Sequence, residues 1–163
     1  MVHSSSIGWS NLTLCQAFVL SFSALFFKVS ISSLTGKNIG IKNTKFKAGD
    51  TTKIDIPPAD CIIFTHVLHH LFTYKDQEIL LKFCYDKLKS GGILIICEVG
   101  KTPKWKYIIS LISDKVLYPF EKINFIPIEN LKTLLKKINF DTEVIPMHKK
   151  SVFSHITFIG KKI

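Results

Sequence analysis

Three histidines lie within one short stretch of the chain, at His66, His69 and His70, and a carboxylate, Glu98, follows an apolar run further on. A neutral imidazole can accept a proton near neutral pH, so any of these histidines could act as the base for a reacting group that has to lose a proton. They could equally orient a ligand, or cap a turn in a purely structural role. Glu98 could face the same site or mark a solvent-exposed strand end.

The histidine spacing also permits a metal interpretation, which the rest of the sequence does not support. His66 and His70 stand four residues apart and would share a face if this segment were helical. The motif His-Val-Leu-His-His differs from the zinc motif HExxH, and no further Glu or His lies at a productive spacing. The four cysteines also fit no zinc pattern. We therefore expect no metal.

The elements that must position these residues are two strands and the helix between them. Cys61 to Phe64 and Ile93 to Cys97 are short, continuous apolar runs, which are typical of strands covered on both faces in a parallel sheet. Between them, Asp76 to Lys89 carries apolar residues at helical spacing. We expect Gly91 and Gly92 to end this helix. The unit is then a right-handed parallel crossover.

Polar residues gather where the strands end. Asp50 follows the short extended segment Thr44 to Lys47, the histidines follow the strand that ends at Phe64, and Glu98 follows Cys97. Ligands of open parallel sheets bind outside the carboxyl ends of the strands. The sequence therefore predicts that these three strand ends form one crevice.

Most of the chain resembles the second half of a class I S-adenosylmethionine-dependent methyltransferase domain. The resemblance rests on "GD", on "ADCIIFTHVLHHL" and on "LLKFCYDKLKSGGILIICEV", in that order and spacing. It extends from about Leu34 to the C-terminus. It implies an α/β fold with a Rossmann-like methyltransferase sheet, mostly parallel with a C-terminal antiparallel strand pair. Two strand patterns, Glu143 to Met147 and Phe153 to Gly160, agree with such a pair.

The resemblance also implies a cofactor, S-adenosyl-L-methionine, and roles for the polar residues. Asp50 would lie near the adenine, and Thr65 and His66 would line the sulfonium side. The complete set of implied cofactor residues is Asp50, Thr51, Thr65, His66 and Val67. The implied catalytic residues, close to the cofactor or the acceptor, are His69, His70 and Glu98. Without the resemblance, Asp50 would be read as an ordinary loop-capping residue.

The N-terminal region departs from that family pattern. A complete domain begins with a strand, a glycine-rich GxGxG turn and a second strand ending in an acid, whereas no such turn occurs here and no acid precedes Asp50. We therefore divide the chain into an apolar segment, residues 1–33, that is not family-like, and a truncated methyltransferase-like domain, residues 34–163. We expect Leu12 to Val29 to cover the sheet edge that the missing strands would have paired.

Composition narrows the partners and the setting. The chain has 163 residues and a formal net charge of +10, and all of its basic residues are lysines. Arginine, which is absent, is the residue that makes bidentate hydrogen bonds to phosphate and guanine. We expect no nucleic-acid partner. Cys61 and Cys97 fall on predicted buried strands and Cys84 on an inward helix face, which favours a reducing, cytoplasmic setting. The apolar stretch Leu12 to Phe27 is short for a membrane span, which leaves membrane association through residues 12–27 as the alternative.

The resemblance implies methyl transfer to a small-molecule or lipid-like acceptor, and we expect this activity to be impaired by loss of the glycine-rich cofactor loop. Trp105, Tyr107 and Tyr118 are candidates to line an acceptor pocket, although most such aromatics belong to a core. His155 is a lone strand histidine, a type that is more often structural. The alternative function is a non-catalytic, degenerate module that associates with a partner, or with itself, through its unpaired sheet edge.

Overall fold

A computed structural model describes residues 17–21, 56–71, 73–117, 119, 123–147, 149 and 151–163. Its strands are β1 (Ala17–Ser21), β2 (Ala59–Thr65), β3 (Leu88–Val99), β4 (Phe140–Pro146) and β5 (His155–Lys162). Its α-helices are α1 (Tyr74–Lys87), α2 (Lys104–Leu117) and α3 (Ile128–Lys137). A short 3₁₀ helix, Leu68–His70, follows β2.

The strands form one sheet in the order β1-β2-β3-β5-β4. β1, β2 and β3 are parallel neighbours, whereas β5 runs antiparallel to both β3 and β4. Only β5 is therefore reversed. This arrangement confirms the predicted fold class, a Rossmann-like α/β sheet that is mostly parallel and ends in an antiparallel strand pair.

β1 pairs in parallel with β2 over Cys61 to Thr65. Because β1 lies inside the apolar segment Leu12 to Val29, part of that segment covers this edge of β2, as predicted. The predicted strand Thr44 to Lys47 lies outside the described residues. No helix in the described part of the chain is long and apolar enough to cross a bilayer.

The core lies between one face of the sheet and helices α1 and α3. Ile62, Phe64 and Ile96 from the sheet belong to the same buried cluster as Leu81 of α1 and Leu135 of α3. All five are at most 1% exposed. At about 1.5–3 kcal/mol for each large apolar side chain removed from water, this cluster is what holds the sheet and the two helices together.

Helix α1 confirms the predicted crossover but ends differently from the prediction. It begins with a capping box, in which Thr73 and Asp76 exchange hydrogen bonds between side chain and backbone. It ends at Lys87, and Gly91 and Gly92 lie inside β3 rather than at the helix end. The glycines permit an irregularity in that strand instead.

The pairing of β2 with β3 explains why glycine is needed there. Ala59 pairs with Leu88, but Cys61 pairs with Ile93, so β3 carries extra residues between these two positions. Gly91 adopts a φ of 72° within this bulge, a conformation that glycine reaches without steric cost. A Cβ at Gly92 would lie 2.9 Å from the Lys89 carbonyl oxygen, so this position also requires glycine.

Candidate functional site

The site begins at the turn that follows β2. His66 has a φ of 54°, a left-handed conformation that is uncommon for residues other than glycine. Its backbone N–H donates to the Cys97 carbonyl, with an N–O distance of 2.9 Å, so this turn is fastened to the end of β3. The 3₁₀ helix starts only after Val67. His66 and His70 therefore do not share a helix face, because His66 precedes the helix.

Glu98, at the end of β3, binds the 3₁₀ helix with both carboxylate oxygens. Its Oε1 accepts from the Leu68 N–H at 2.8 Å, and its Oε2 lies 2.5 Å from His69 Nδ1. His69 is 1% exposed and Glu98 is 5% exposed. Since a carboxylate only accepts, we assign the proton to Nδ1, which leaves Nε2 as the acceptor nitrogen of a neutral imidazole.

The other side of the His69 ring faces an acid on α2. His69 Nε2 lies 3.9 Å from Asp114 Oδ2. Both atoms are buried, and neither has a hydrogen-bond partner within the described ranges. A buried polar atom left unpaired costs about 1–3 kcal/mol. A polar group reaching into the space between them would satisfy both, so these two atoms mark a ligand position.

Sequence reasoning missed Asp114 altogether. A signal was present, since Asp114 is the single acid in the otherwise apolar and basic sequence of α2, KWKYIISLISDKVL. An isolated acid in such a helix indicates a specific partner. Periodicity could not indicate that the partner is His69, because that contact joins segments far apart in the chain.

Two further residues that sequence reasoning missed, Gln77 and Asn124, hydrogen-bond to the backbone of the 3₁₀ helix and of the residue after it. The Gln77 side-chain amide donates to the Leu68 carbonyl at 2.9 Å and to the Asn124 carbonyl at 3.1 Å. The Asn124 backbone N–H donates to the His69 carbonyl at 2.7 Å, and its side chain donates to the Leu71 carbonyl at 2.8 Å. These bonds fix the orientation of the His69 ring relative to Glu98.

A further polar group lies beside the first, where β5 starts next to the end of β3. The rings of His66 and His155 are 4.8 Å apart between centroids, and Cys97 belongs to the same group. Burial lowers the pKa of His66, which the Glu98 charge partly opposes. Burial also lowers the pKa of His155, and the negative charge of Asp114 partly opposes this effect. The pKa of the Cys97 thiol is raised by burial, against a hydrogen bond from the Thr157 side chain.

The structure brings several of the predicted site residues together. His66, His69, His70 and Glu98 form one cluster, with the His69 and His70 rings 4.2 Å apart and the His66 and His69 rings 5.9 Å apart between centroids. Thr65, at the end of β2, is exposed.

The other predicted residues lie outside this cluster or outside the described part of the chain. Val67 is 4% exposed and belongs to the core cluster. Asp50, Thr51 and Tyr118 lie outside the described residues. Trp105, proposed for an acceptor pocket, is 57% exposed. Tyr107 packs on Phe125, which in turn contacts the His69 ring at 4.9 Å between centroids.

Solved structures similar to this chain are methyltransferases. SibL, an S-adenosylmethionine-dependent methyltransferase in its apo form, has a TM-score of 0.67 at 17% identity and covers 91% of this chain. An O-methyltransferase family 2 protein from Planctomyces limnophilus, in complex with apigenin, has a TM-score of 0.65 at 21% identity and covers 82% of this chain. A methyltransferase from Methanosarcina mazei has a TM-score of 0.64 at 14% identity and covers 90% of this chain and 82% of its own.

The chain spans 43% of SibL and 40% of the P. limnophilus protein. At these identities the likeness shows the fold. A search of curated proteins found no match. The protein-family comparison is more specific, since the family described as "Methyltransferase domain" matches residues 14–144, well over half of the chain and including β1. The chain belongs to this methyltransferase domain family.

Proposed function

We propose that this chain supports S-adenosylmethionine-dependent methyl transfer to a hydroxyl-bearing small molecule, with His69 as the base that takes up the hydroxyl proton. The observation that carries the proposal is the buried His69–Glu98 pair at the ends of adjacent parallel strands, with His69 Nε2 unpartnered and directed away from Glu98. The P. limnophilus protein, a similar structure in complex with apigenin, supports a small-molecule acceptor.

The chemistry of each residue follows from its bonds. Glu98 accepts the Nδ1 hydrogen bond of His69 and so selects the neutral tautomer whose Nε2 carries the lone pair. It also stabilises the imidazolium that forms when Nε2 takes the proton of the acceptor hydroxyl. The Leu68 N–H holds the second carboxylate oxygen, so Glu98 does not rotate away. His70, 7% exposed and against the His69 ring, keeps water from that side.

The residues at the strand ends fit the proposed cofactor. S-adenosylmethionine supplies an electrophilic methyl group and carries positive charge at its sulfonium and its amino group. The carboxylates of Glu98 and Asp114 complement such charge within a chain of net charge +10, and Asp114 Oδ2 is a buried acceptor in need of a donor. Catalysis by the protein is then chiefly positioning and exclusion of water from the acceptor.

The remaining cofactor contacts are proposed by resemblance. Asp50 and Thr51 would lie on the adenine side. Thr65 and the backbone of His66 and Val67, at the turn after β2, would lie on the sulfonium side. Because the printed sequence contains no GxGxG turn, backbone contacts to the cofactor that such a turn provides are missing. We therefore expect the chain to bind its cofactor more weakly than a domain that has the turn.

The test is transfer of an isotope-labelled methyl group from the cofactor to a panel of phenolic and lipid-like acceptors. His69→Gln should lower the rate at saturating cofactor by about 100-fold or more, since general-base catalysis contributes typically 10²–10⁴-fold. Its cofactor affinity should remain close to that of the unaltered chain. Glu143→Gln, an exposed carboxylate change on β4, is the control and should change neither quantity. An unaltered rate in His69→Gln would contradict the assignment of the base.

The non-catalytic alternative draws less support from the fold. One edge of the β2–β3 unit is covered by β1. The outer strand β4 carries the exposed acids Asp141 and Glu143, and charges on an edge strand oppose edge-to-edge association. Cys84 and Cys97 are reduced thiols, which favours the reducing, cytoplasmic setting expected from the sequence.

A further inference from the structure

A thiol and two imidazoles meet at the edge of the sheet, beside the His69–Glu98 pair. One ligand atom from each of His66, Cys97 and His155 lies within 4.8 Å of the others. The three residues come from different elements, namely the turn after β2, the end of β3 and the start of β5. Antiparallel pairing sets His155 opposite Val99, and parallel pairing sets Cys97 opposite Thr65. The sheet register itself therefore assembles this group, which we call the His-Cys-His cluster.

The donor types are those that zinc-class cations prefer. Zn²⁺ binds thiolate sulfur at about 2.3 Å and imidazole nitrogen at about 2.0–2.1 Å, usually with tetrahedral geometry. Donor atoms around such an ion are separated by roughly 3.5 Å. Atoms within 4.8 Å of one another reach that spacing through small side-chain rotations.

A second possible triad shares His66 but uses His69 and Glu98. That triad is less suitable because His69 Nδ1 and Glu98 Oε2 already bond each other at 2.5 Å, and Glu98 Oε1 accepts from Leu68. In contrast, the His66 and His155 rings make no hydrogen bond to any described residue. Both side chains are half-buried between strand ends.

We propose that His66, Cys97 and His155 bind a divalent cation of the zinc class, with a fourth position open to water. Binding replaces the Cys97 S–H bond with a sulfur–metal bond and releases that proton to solvent, without any change of oxidation state. The ion would join the ends of β2, β3 and β5. This site goes beyond the proposed methyl transfer and does not rest on it. It shares only His66 with the cofactor prediction, in which the His66 backbone contacts the cofactor, whereas here the His66 imidazole binds the ion.

Ligand spacing along the chain predicts no metal site here, because the ligands of this cluster are far apart in sequence. Cys97 and His155 are separated by α2, α3 and β4, so no local spacing could reveal them. Only the reversed direction of β5, which places its first residue at the end of β3, brings the two side chains together.

The experiment uses the full chain, stripped with a chelator and then titrated with Co²⁺ as a spectroscopic probe and with Zn²⁺. We expect one equivalent to bind, a thiolate-to-cobalt charge-transfer band, and a higher Tm in the presence of Zn²⁺, because the ion binds the folded state. Cys97→Ser should abolish the charge-transfer band. His155→Gln should weaken Zn²⁺ binding by roughly tenfold or more, since even outer-shell partners of metal sites contribute that much.

Cys61→Ser is the matched control, a half-buried thiol on the adjacent strand β2 that is not part of the cluster. It should retain both the band and the affinity. Zn²⁺ binding of unchanged strength in Cys97→Ser would identify an adventitious surface ion and overturn the proposal, as would an equal loss in Cys61→Ser. If Cys97→Ser lowers the fraction of folded chain, the test rests on His155→Gln. Circular dichroism should show that His155→Gln is folded, and its affinity for Zn²⁺ should be lower than that of the unaltered chain.

Discussion

The turn after β2 and helix α2 meet at the contact between His69 and Asp114, yet they are built in opposite ways. The turn is held by buried polar side chains of neighbouring elements: Glu98 of β3 binds the Leu68 N–H and His69, and Gln77 of α1 binds the Leu68 carbonyl. On α2, large apolar side chains point outward, and Ile112 and Val116 are 58% and 73% exposed. The site thus depends on a rigid polar turn, whereas α2 contributes one acid to it.

This difference has a general consequence for site building. Buried hydrogen bonds specify one geometry, because breaking any of them leaves an unpaired group in a low-dielectric environment. An exposed apolar helix face specifies little. We therefore expect substitutions that break the hydrogen bonds of the turn to lower the free energy of unfolding strongly. Substitutions on the outer face of α2 should leave it nearly unchanged.

The largest effect is expected at Glu98. Glu98→Ala removes the partner of the His69 ring and of the Leu68 N–H at once. Each buried donor left without an acceptor costs about 1–3 kcal/mol, so the two together should cost about 2–6 kcal/mol in the free energy of unfolding. Urea unfolding followed by circular dichroism measures this loss. Glu143→Ala on β4 should change stability by no more than about 0.5 kcal/mol, and equal losses in the two variants would refute the special role of the turn.

A smaller effect is expected at Gln77. Gln77→Ala leaves the Leu68 carbonyl without its side-chain donor and removes the bond to the Asn124 carbonyl. The expected loss is about 1–3 kcal/mol, the cost of unpaired buried polar groups. The exposed helix position Ile79, 47% exposed, provides the comparison as Ile79→Ala. A loss at Gln77 no greater than that at Ile79 would show that the amide does not fasten the turn.

The smallest effect is expected on the outer face of α2. Ile112→Ala should change the free energy of unfolding by no more than about 0.5 kcal/mol, because the side chain is 58% exposed. Leu135→Ala on α3, where the side chain is 0% exposed, should cost about 2–5 kcal/mol. A large loss at Ile112 would mean that α2 is covered by another surface in solution.

The sequence predicts the first crossover well for a physical reason. Continuous apolar runs suit strands that are covered on both faces, and β2 and β3 contain those runs, while α1 carries helical spacing between them. The glycines were misread because glycine both ends helices and permits bulges. Only the strand pairing, with Ala59 opposite Leu88 and Cys61 opposite Ile93, shows which use applies at Gly91.

The candidate site was predicted in part. His66, His69, His70 and Glu98 were found because they follow strand ends directly, and parallel strands place those ends at one edge. Asp114, Gln77 and His155 were not assigned to the site, because each reaches it from an element distant in sequence. Periodicity also predicted that α2 is a helix, but it could not show that the apolar residues of α2 face outward. The pattern reveals that a helix has an apolar face and does not reveal which surface, if any, packs against that face.

The most direct test of the account is calorimetric titration of the full chain with S-adenosylmethionine, comparing the unaltered chain with Asp114→Asn. If the strand ends form one cofactor site, the unaltered chain should bind one equivalent. Asp114→Asn should bind about 10- to 150-fold more weakly, because a charge-assisted contact is typically worth about 1.5–3 kcal/mol. Absence of saturable binding up to about 1 mM, the upper end of usual substrate affinities, would contradict the central claim.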